Sequence, residues 1–305
     1  MSTTVGIVGV GIMGSAMGAN LVRAGFRVVG YDPAPGAAER LAGFGGETAS
    51  SARAVAETCP IVITSLPSAN ALLAAASGPD GLASAEGTGQ VVIECSTLPL
   101  DTKIAAREVL AAAGLTLLDC PVSGTGAQAR DKDLVILGSG DEAAFERCRA
   151  VFEGMSRVAR YLGPFGNGSK MKFVANHLVT IHNVAAAEAI VLGIKAGLDP
   201  ALVVETLSDS AGSSRMFQVR GPLMRDSRYD EPTATIRMHL KDLSIIGSFA
   251  AELGCPLPVF AASAPLYVAG AAQGRLGQDT ASVCAVLEGM AGVSRSPAIS
   301  SKEKA

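Results

Sequence analysis

Two groups of residues in this 305-residue chain have the types and spacing to do chemistry. The first is Gly9-Val10-Gly11-Ile12-Met13-Gly14, a GxGxxG run. Gly9 permits a tight turn, Gly11 lets the backbone approach a pyrophosphate, and Gly14 lets a helix pack closely on a strand. Such a turn sets an anion on a helix N-terminus, where unpaired N–H groups and the macrodipole favour negative charge. Asp32 follows 23 residues after Gly9, at the end of a second apolar run, where a carboxylate accepts hydrogen bonds from an adenosine ribose. Together Gly9, Gly11, Ile12, Met13, Gly14 and Asp32 predict a dinucleotide site. The carboxylate repels a 2′-phosphate and Pro33-Ala34-Pro35 supply no arginine, so NAD is favoured; Arg40, on the next helix, keeps NADP possible.

The second group is Lys172, Asn176, Thr180 and Asn183, spaced 4, 4 and 3 and therefore aligned on one face of a helix. Two readings are open. The stripe is either a solvated face, or a polar wall toward a cleft between domains with Lys172 as proton donor or acceptor. A lysine suits that role when partial desolvation lowers its pKa toward neutrality. Lys170, two residues away, points nearly the opposite way. His177 and His182 are five apart and share no helical face, so they and His239 read as packing or surface residues, and no metal site is expected.

The elements that must position these groups follow from patterning. The first half alternates β-branched runs at 5–9, 27–31, 61–65, 91–94, 115–119, 134–138 and 158–161 with helical stretches at 13–24, 37–42, 51–57, 69–75, 100–113 and 142–152. That alternation predicts a parallel sheet covered by helices. Beyond Gly166 it stops, and 169–196, 200–208, 237–253, 257–273 and 278–289 read as helices. The expected fold is α/β: an N-terminal doubly wound parallel sheet of Rossmann type over 1–164 and an all-helical domain over 165–293. A long interdomain helix joins them, and a mobile tail covers 294–305.

Composition narrows the class. Hydrophobic residues make up 49% and charged residues 17%, which excludes a disordered chain. Lys plus Arg total 25 against 28 Asp plus Glu, so no overall field favours nucleic acid or an anionic membrane. Six cysteines are scattered with no CxxC pair, arguing against a zinc ribbon or a disulfide framework and for the cytoplasm. No signal peptide and no uninterrupted apolar run of about 20 residues is seen. The apolar helices of the second half, needing cover on most sides, suggest a homodimer or homotetramer.

Four separated motifs resemble those of the β-hydroxyacid dehydrogenase family. Residues Ile7 to Leu21, around the glycine turn, look like its cofactor signature, with Val10 where Leu is more usual. Glu94-Cys95-Ser96-Thr97-Leu98-Pro99 is similar to its D-x-S-T-x-x-P segment; the resemblance puts Thr97 near the nicotinamide ribose, and Leu66 and Pro67 join the cofactor contacts. Asp119-Cys120-Pro121-Val122-Ser123-Gly124 matches the stretch in which the serine hydroxyl and following backbone N–H groups hold a substrate carboxylate, which implies Ser123, Gly124 and Thr125. Gly166 to Asn176 resembles the catalytic GxGxxxK and the asparagine after it, and so selects Lys172 and Asn176. Lys241-Asp242-Leu243 resembles an element whose lysine closes on cofactor and substrate.

The resemblance implies hydride transfer between NAD(P) and a small β-hydroxyacid, without a metal, with Lys172 as general acid/base. An imine reductase or a non-catalytic dinucleotide-binding scaffold is the alternative. After Ser123-Gly124 the chain departs from the glycine-rich pattern of many relatives. Thr125, Gln128 and Arg130 either add polar contacts to a substrate or face solvent at a helix start.

Overall fold

In the computed structural model, which describes residues 3–295, the β-branched runs of the first half are strands, those of the main sheet mostly buried and that at 158–161 only half-buried. The chain forms two compact units, divided after Lys172. The first unit runs in the order β1 (Thr4–Val8), α1 (Ile12–Arg23), β2 (Arg27–Tyr31), α2 (Ala37–Gly43), β3 (Glu47–Thr48), α3 (Ala52–Thr58), β4 (Ile61–Thr64), α4 (Ala69–Ser77), β5 (Val91–Glu94), α5 (Leu100–Ala112) and β6 (Thr116–Asp119). There follow β7 (Val122–Ser123), α6 (Gly126–Arg130), β8 (Val135–Gly138), α7 (Glu142–Arg147), α8 (Arg149–Met155) and β9 (Val158–Tyr161), after which α9 (Asn167–Lys195) begins.

Six strands form one parallel sheet in the order β3-β2-β1-β4-β5-β6. This is the doubly wound arrangement, whose order reverses between β1 and β4 and opens a crevice at the strand C-termini there. Two core layers cover its faces. One gathers Val5, Ile7, Met17, Leu21, Ile63, Ile93 and Leu118; the other gathers Val8, Val55, Val62, Leu72, Val92, Leu98 and Leu110. Both faces being covered, the strands read as continuous apolar runs rather than as alternation. Ser51 and Ser68 cap α3 and α4 by accepting the Ala54 and Ala71 amides at 3.0 and 3.2 Å.

The structure corrects the sequence reading in several places. The runs at 134–138 and 158–161 do not join the main sheet; β7, β8 and β9 form a separate three-stranded sheet, antiparallel between β7 and β8. Strands β3 and β7 have two residues each, too few to leave a periodic signal. The stretch 142–152 is two helices broken at Cys148. Helix α11 (Arg215–Asp226) went unread because Gly221-Pro222 interrupt a polar segment.

The second unit starts at Phe173. It contains α9 from that residue on, α10 (Pro200–Ser208), α11, α12 (Ile236–Glu252), α13 (Pro258–Ala272) and, after a 3₁₀ turn at Thr280–Ser282, α14 (Val283–Met290). Its core is built from Phe173, Ala187, Ile190, Val204, Phe217, Met224, Ile246, Phe260, Tyr267 and Cys284. By length and composition alone α9 could cross a membrane, yet Phe173, Ala187 and Ile190 on it belong to this core. All six cysteines are free, and Cys255 is the exposed one. Of the expected mobile tail, Arg295 is anchored by donating to the Met224 and Arg225 carbonyls, both at 2.8 Å; 296–305 lie outside the described residues.

Candidate functional site

The glycine turn is built by close approach. At Gly9, with φ +96°, an added Cβ would lie 2.2 Å from the Ser65 carbonyl oxygen; at Gly14 it would lie 1.9 Å from that of Gly9. Neither position admits a side chain. Gly11 differs, since a Cβ there would meet nothing within 4 Å. That open space, beside first-turn amides of α1 that have no intrahelical acceptor, fits the pyrophosphate of a dinucleotide.

Asp32 braces the turn as well as facing it. Its Oδ2 accepts the Val10 amide at 2.7 Å and its Oδ1 the Ala34 amide at 2.8 Å. A carboxylate oxygen has two lone pairs, so each retains capacity for a ribose hydroxyl. Arg40 folds back on the same turn, its Nε donating to the Val10 carbonyl at 2.8 Å. The side chain that kept NADP open is thus held at the turn Asp32 braces.

Leu66, Pro67 and Thr97 follow the C-terminal ends of β4 and β5, on the side where doubly wound sheets bind ligands. The Leu66 amide donates to Ser96 Oγ at 2.8 Å, tying the two loops together. Ser123 ends β7, and Gly124 has φ +140°. The turn continues against the start of α1, where a Cβ at Gly126 would lie 2.7 Å from Ile12 Cγ2. The structure therefore brings Gly126, three residues after Ser123, against Ile12 of the glycine turn within one unit.

Thr125 and Gln128 form a capping box on α6. Thr125 Oγ1 accepts the Gln128 amide at 3.4 Å, Gln128 Oε1 accepts the Thr125 amide at 3.0 Å, and Gln128 Nε2 reaches Asp133 Oδ2 at 3.1 Å. These side chains are engaged with α6 itself, and Arg130 is exposed.

On α9 all four members of the stripe are buried: Lys172 and Asn176 at 8% exposure, Asn183 at 2% and Thr180 at 0%. A solvated face is excluded. Lys170 is exposed, as its opposite orientation required. Asn183 Nδ2 donates to Tyr267 Oη at 3.0 Å and to the Thr280 carbonyl at 2.8 Å. Thr180 Oγ1 donates to the Asn176 carbonyl at 2.9 Å and lies 3.1 Å from His239 Nε2. The distal half of the stripe thus satisfies the interior of the second unit. Lys172 and Asn176 lie one turn apart at the other end of the stripe.

Sequence reasoning missed Asp242. Its Oδ2 accepts Asn176 Nδ2 at 2.8 Å, and its Oδ1 lies 3.1 Å from Lys241 Nζ. The signal was its place beside Lys241; the pairing across 66 residues was not readable. Among the described residues, no three His, Cys, Asp or Glu side chains gather as metal ligands.

Comparison with known proteins covers nearly the whole chain. Residues 4–163 match the NAD binding domain of 6-phosphogluconate dehydrogenase, and residues 166–287 match the NAD-binding domain of NADP-dependent 3-hydroxyisobutyrate dehydrogenase. The chain is 32% identical to L-threonate dehydrogenase of Cupriavidus necator over 95% of its own length and 98% of the relative's. It is 34% identical to 2-hydroxy-3-oxopropionate reductase of Escherichia coli over 94% and 97%. Among solved structures, 3-hydroxyisobutyrate dehydrogenase of Mycobacterium tuberculosis with L-serine superposes with a TM-score of 0.85 at 29% identity, covering 94% of this chain and 99% of that one.

Proposed function

The chain belongs to the β-hydroxyacid dehydrogenase family, and from that premise we propose that it oxidises a small β-hydroxyacid reversibly to the 3-oxo acid or semialdehyde, with NAD preferred. The observation that carries the reading is Lys172, a buried amine one helical turn from the buried amide of Asn176. When bound, the nicotinamide supplies the hydride acceptor. The glycine turn and Asp32 hold its adenosine half, while Leu66, Pro67 and Thr97 bound the other end. Ser123 Oγ and the amides of Gly124 and Thr125 anchor the substrate carboxylate, the last once Gln128 releases it.

Asn176 orients the reacting hydroxyl, and Lys241 faces the substrate. Lys172 Nζ, as the neutral amine, takes the hydroxyl proton during oxidation; as the ammonium it returns that proton and stabilises the alkoxide during reduction. NAD preference is supported by the Asp32 carboxylate, which opposes a 2′-phosphate. Exposed Met171, Val174, Leu178 and Leu192 on α9 support assembly as a homodimer or homotetramer.

The test is nicotinamide absorbance with NAD and NADP, each against a panel of β-hydroxyacids and, in reverse, their oxo partners. Turnover of one pair, faster with NAD, is expected. Silence across the panel, with reduced cofactor still bound and imines turned over instead, would overturn the reading.

A further inference from the structure

The first unit contains a charged cluster with no exposed member and no place in the reaction above. Lys103, Glu94, Asp119 and Ser139 are all at 0% exposure, and Ser169 is at 1%. The Lys103 ammonium donates to Asp119 Oδ1 at 2.8 Å and to the Ser96 carbonyl at 2.7 Å, and pairs with the Glu94 carboxylate at 2.6 Å.

From this centre the bonds run in two directions. Toward the sheet crevice, Glu94 Oε1 accepts the Ser96 amide at 2.9 Å, and Ser96 Oγ accepts the Leu66 amide. Toward α9, Asp119 Oδ2 accepts the Ser169 amide at 2.8 Å and Asp119 Oδ1 accepts Ser169 Oγ at 2.7 Å. Ser139 Oγ accepts the Gly168 amide at 2.9 Å. Two amides of the first turn of α9, which no intrahelical carbonyl can satisfy, therefore end on this cluster. The fit is tight, since a Cβ at Gly168 would lie 2.2 Å from the Leu137 carbonyl oxygen and 2.6 Å from that of Asp119.

We propose that Asp119, held by Lys103, is a positioning residue that fixes the first turn of α9 and thereby the place of Lys172, three residues beyond Ser169. The inference rests on the proton-transfer role given to Lys172 above. A buried ion cluster is a poor way to gain stability, because desolvation of the ions offsets their attraction and an apolar replacement would serve as well. What apolar side chains cannot do is accept two helix-start amides and a hydroxyl from fixed directions. Asp119, oriented by Lys103, accepts the Ser169 amide and hydroxyl while Ser139 Oγ takes the Gly168 amide, and the cluster's excess negative charge faces the positive end of the α9 dipole. The same lysine holds the Ser96 carbonyl, so the loop after β5 and the start of α9 share one anchor.

Asp119→Asn and Ser169→Ala test the proposal, with Lys172→Met for comparison. For each we would measure kcat, KM, the pH profile of kcat, affinity for reduced cofactor, and amide hydrogen exchange over 166–172. A small displacement of a reacting group costs up to about 100-fold in rate. Asp119→Asn is therefore expected to lower kcat about 100-fold and Ser169→Ala about 10-fold, with cofactor affinity within about threefold. The ionisation on the kcat profile should move and exchange over 166–172 should quicken. Folded variants with wild-type profile and wild-type exchange would overturn the anchor. Should Asp119→Asn fail to fold, Ser169→Ala decides, because it removes one hydroxyl and leaves the buried charges in place. If instead Lys172→Met keeps its activity, the proton-transfer reading falls, while the exchange data still decide whether Asp119 fixes the helix start.

Discussion

Asn176 donates its side-chain amide to the carboxylate of Asp242, 2.8 Å from Nδ2 to Oδ2. A carboxylate only accepts, so this bond sets which way the amide faces, leaving its oxygen as the acceptor for the hydroxyl in the function proposed above. Asp242 also neighbours Lys241 and so orients two of the groups assigned to the substrate. Asp242→Ala is expected to raise KM for the hydroxyacid about 10-fold, the loss of one charged hydrogen bond, with cofactor affinity unchanged. Steady-state kinetics with a wild-type KM would show that this orientation does not matter.

Lys172→Met removes the proposed proton carrier and keeps most of the length of the side chain. General acid–base catalysis is worth about 10²- to 10⁴-fold, and kcat should fall by that much while reduced cofactor binds as before. Activity within tenfold of wild type would refute the assignment.

Asp32→Ala removes both the proposed ribose acceptor and the brace on the Val10 amide. Affinity for NAD should weaken about 10-fold or more, and the NADP to NAD ratio of kcat/KM should rise because Arg40 stays at the turn. An unchanged ratio would count against the ribose contact.

Asn183 tests the division of the α9 stripe. Asn183→Ala strands the hydrogen bonds to Tyr267 and Thr280, at a cost of about 1–3 kcal/mol in denaturant unfolding. Per folded molecule, kcat should stay within about twofold, since interior satisfaction rather than chemistry is lost. A kcat loss matching that of Lys172→Met would place Asn183 in the chemical machinery.

The thiols report packing. Burial pushes Cys59, Cys148 and Cys284 up to about 12 and Cys95 and Cys120 well above the ordinary 9.0, whereas Cys255 is exposed. Because the thiolate is the nucleophile, raised values suppress reaction until the pH approaches them. A thiol reagent near pH 8 should titrate Cys255 quickly in the native protein and the remaining thiols only after unfolding. Two fast native thiols would contradict this packing.

The sequence alone determined the features with local causes. Strand and helix alternation follows from side-chain periodicity, the glycine turn from the spacing of Gly9, Gly11 and Gly14, and the alignment of Lys172 with Asn176 from helical geometry. What only the tertiary structure decided depends on partners far apart in the chain. Asp119 and Ser169 meet across 50 residues, Asn176 and Asp242 across 66, and β8 and β9 pair away from the main sheet. Periodicity says which face of a helix is polar; whether that face meets water, a buried carboxylate or a tyrosine hydroxyl is set by the long-range packing that closes around it.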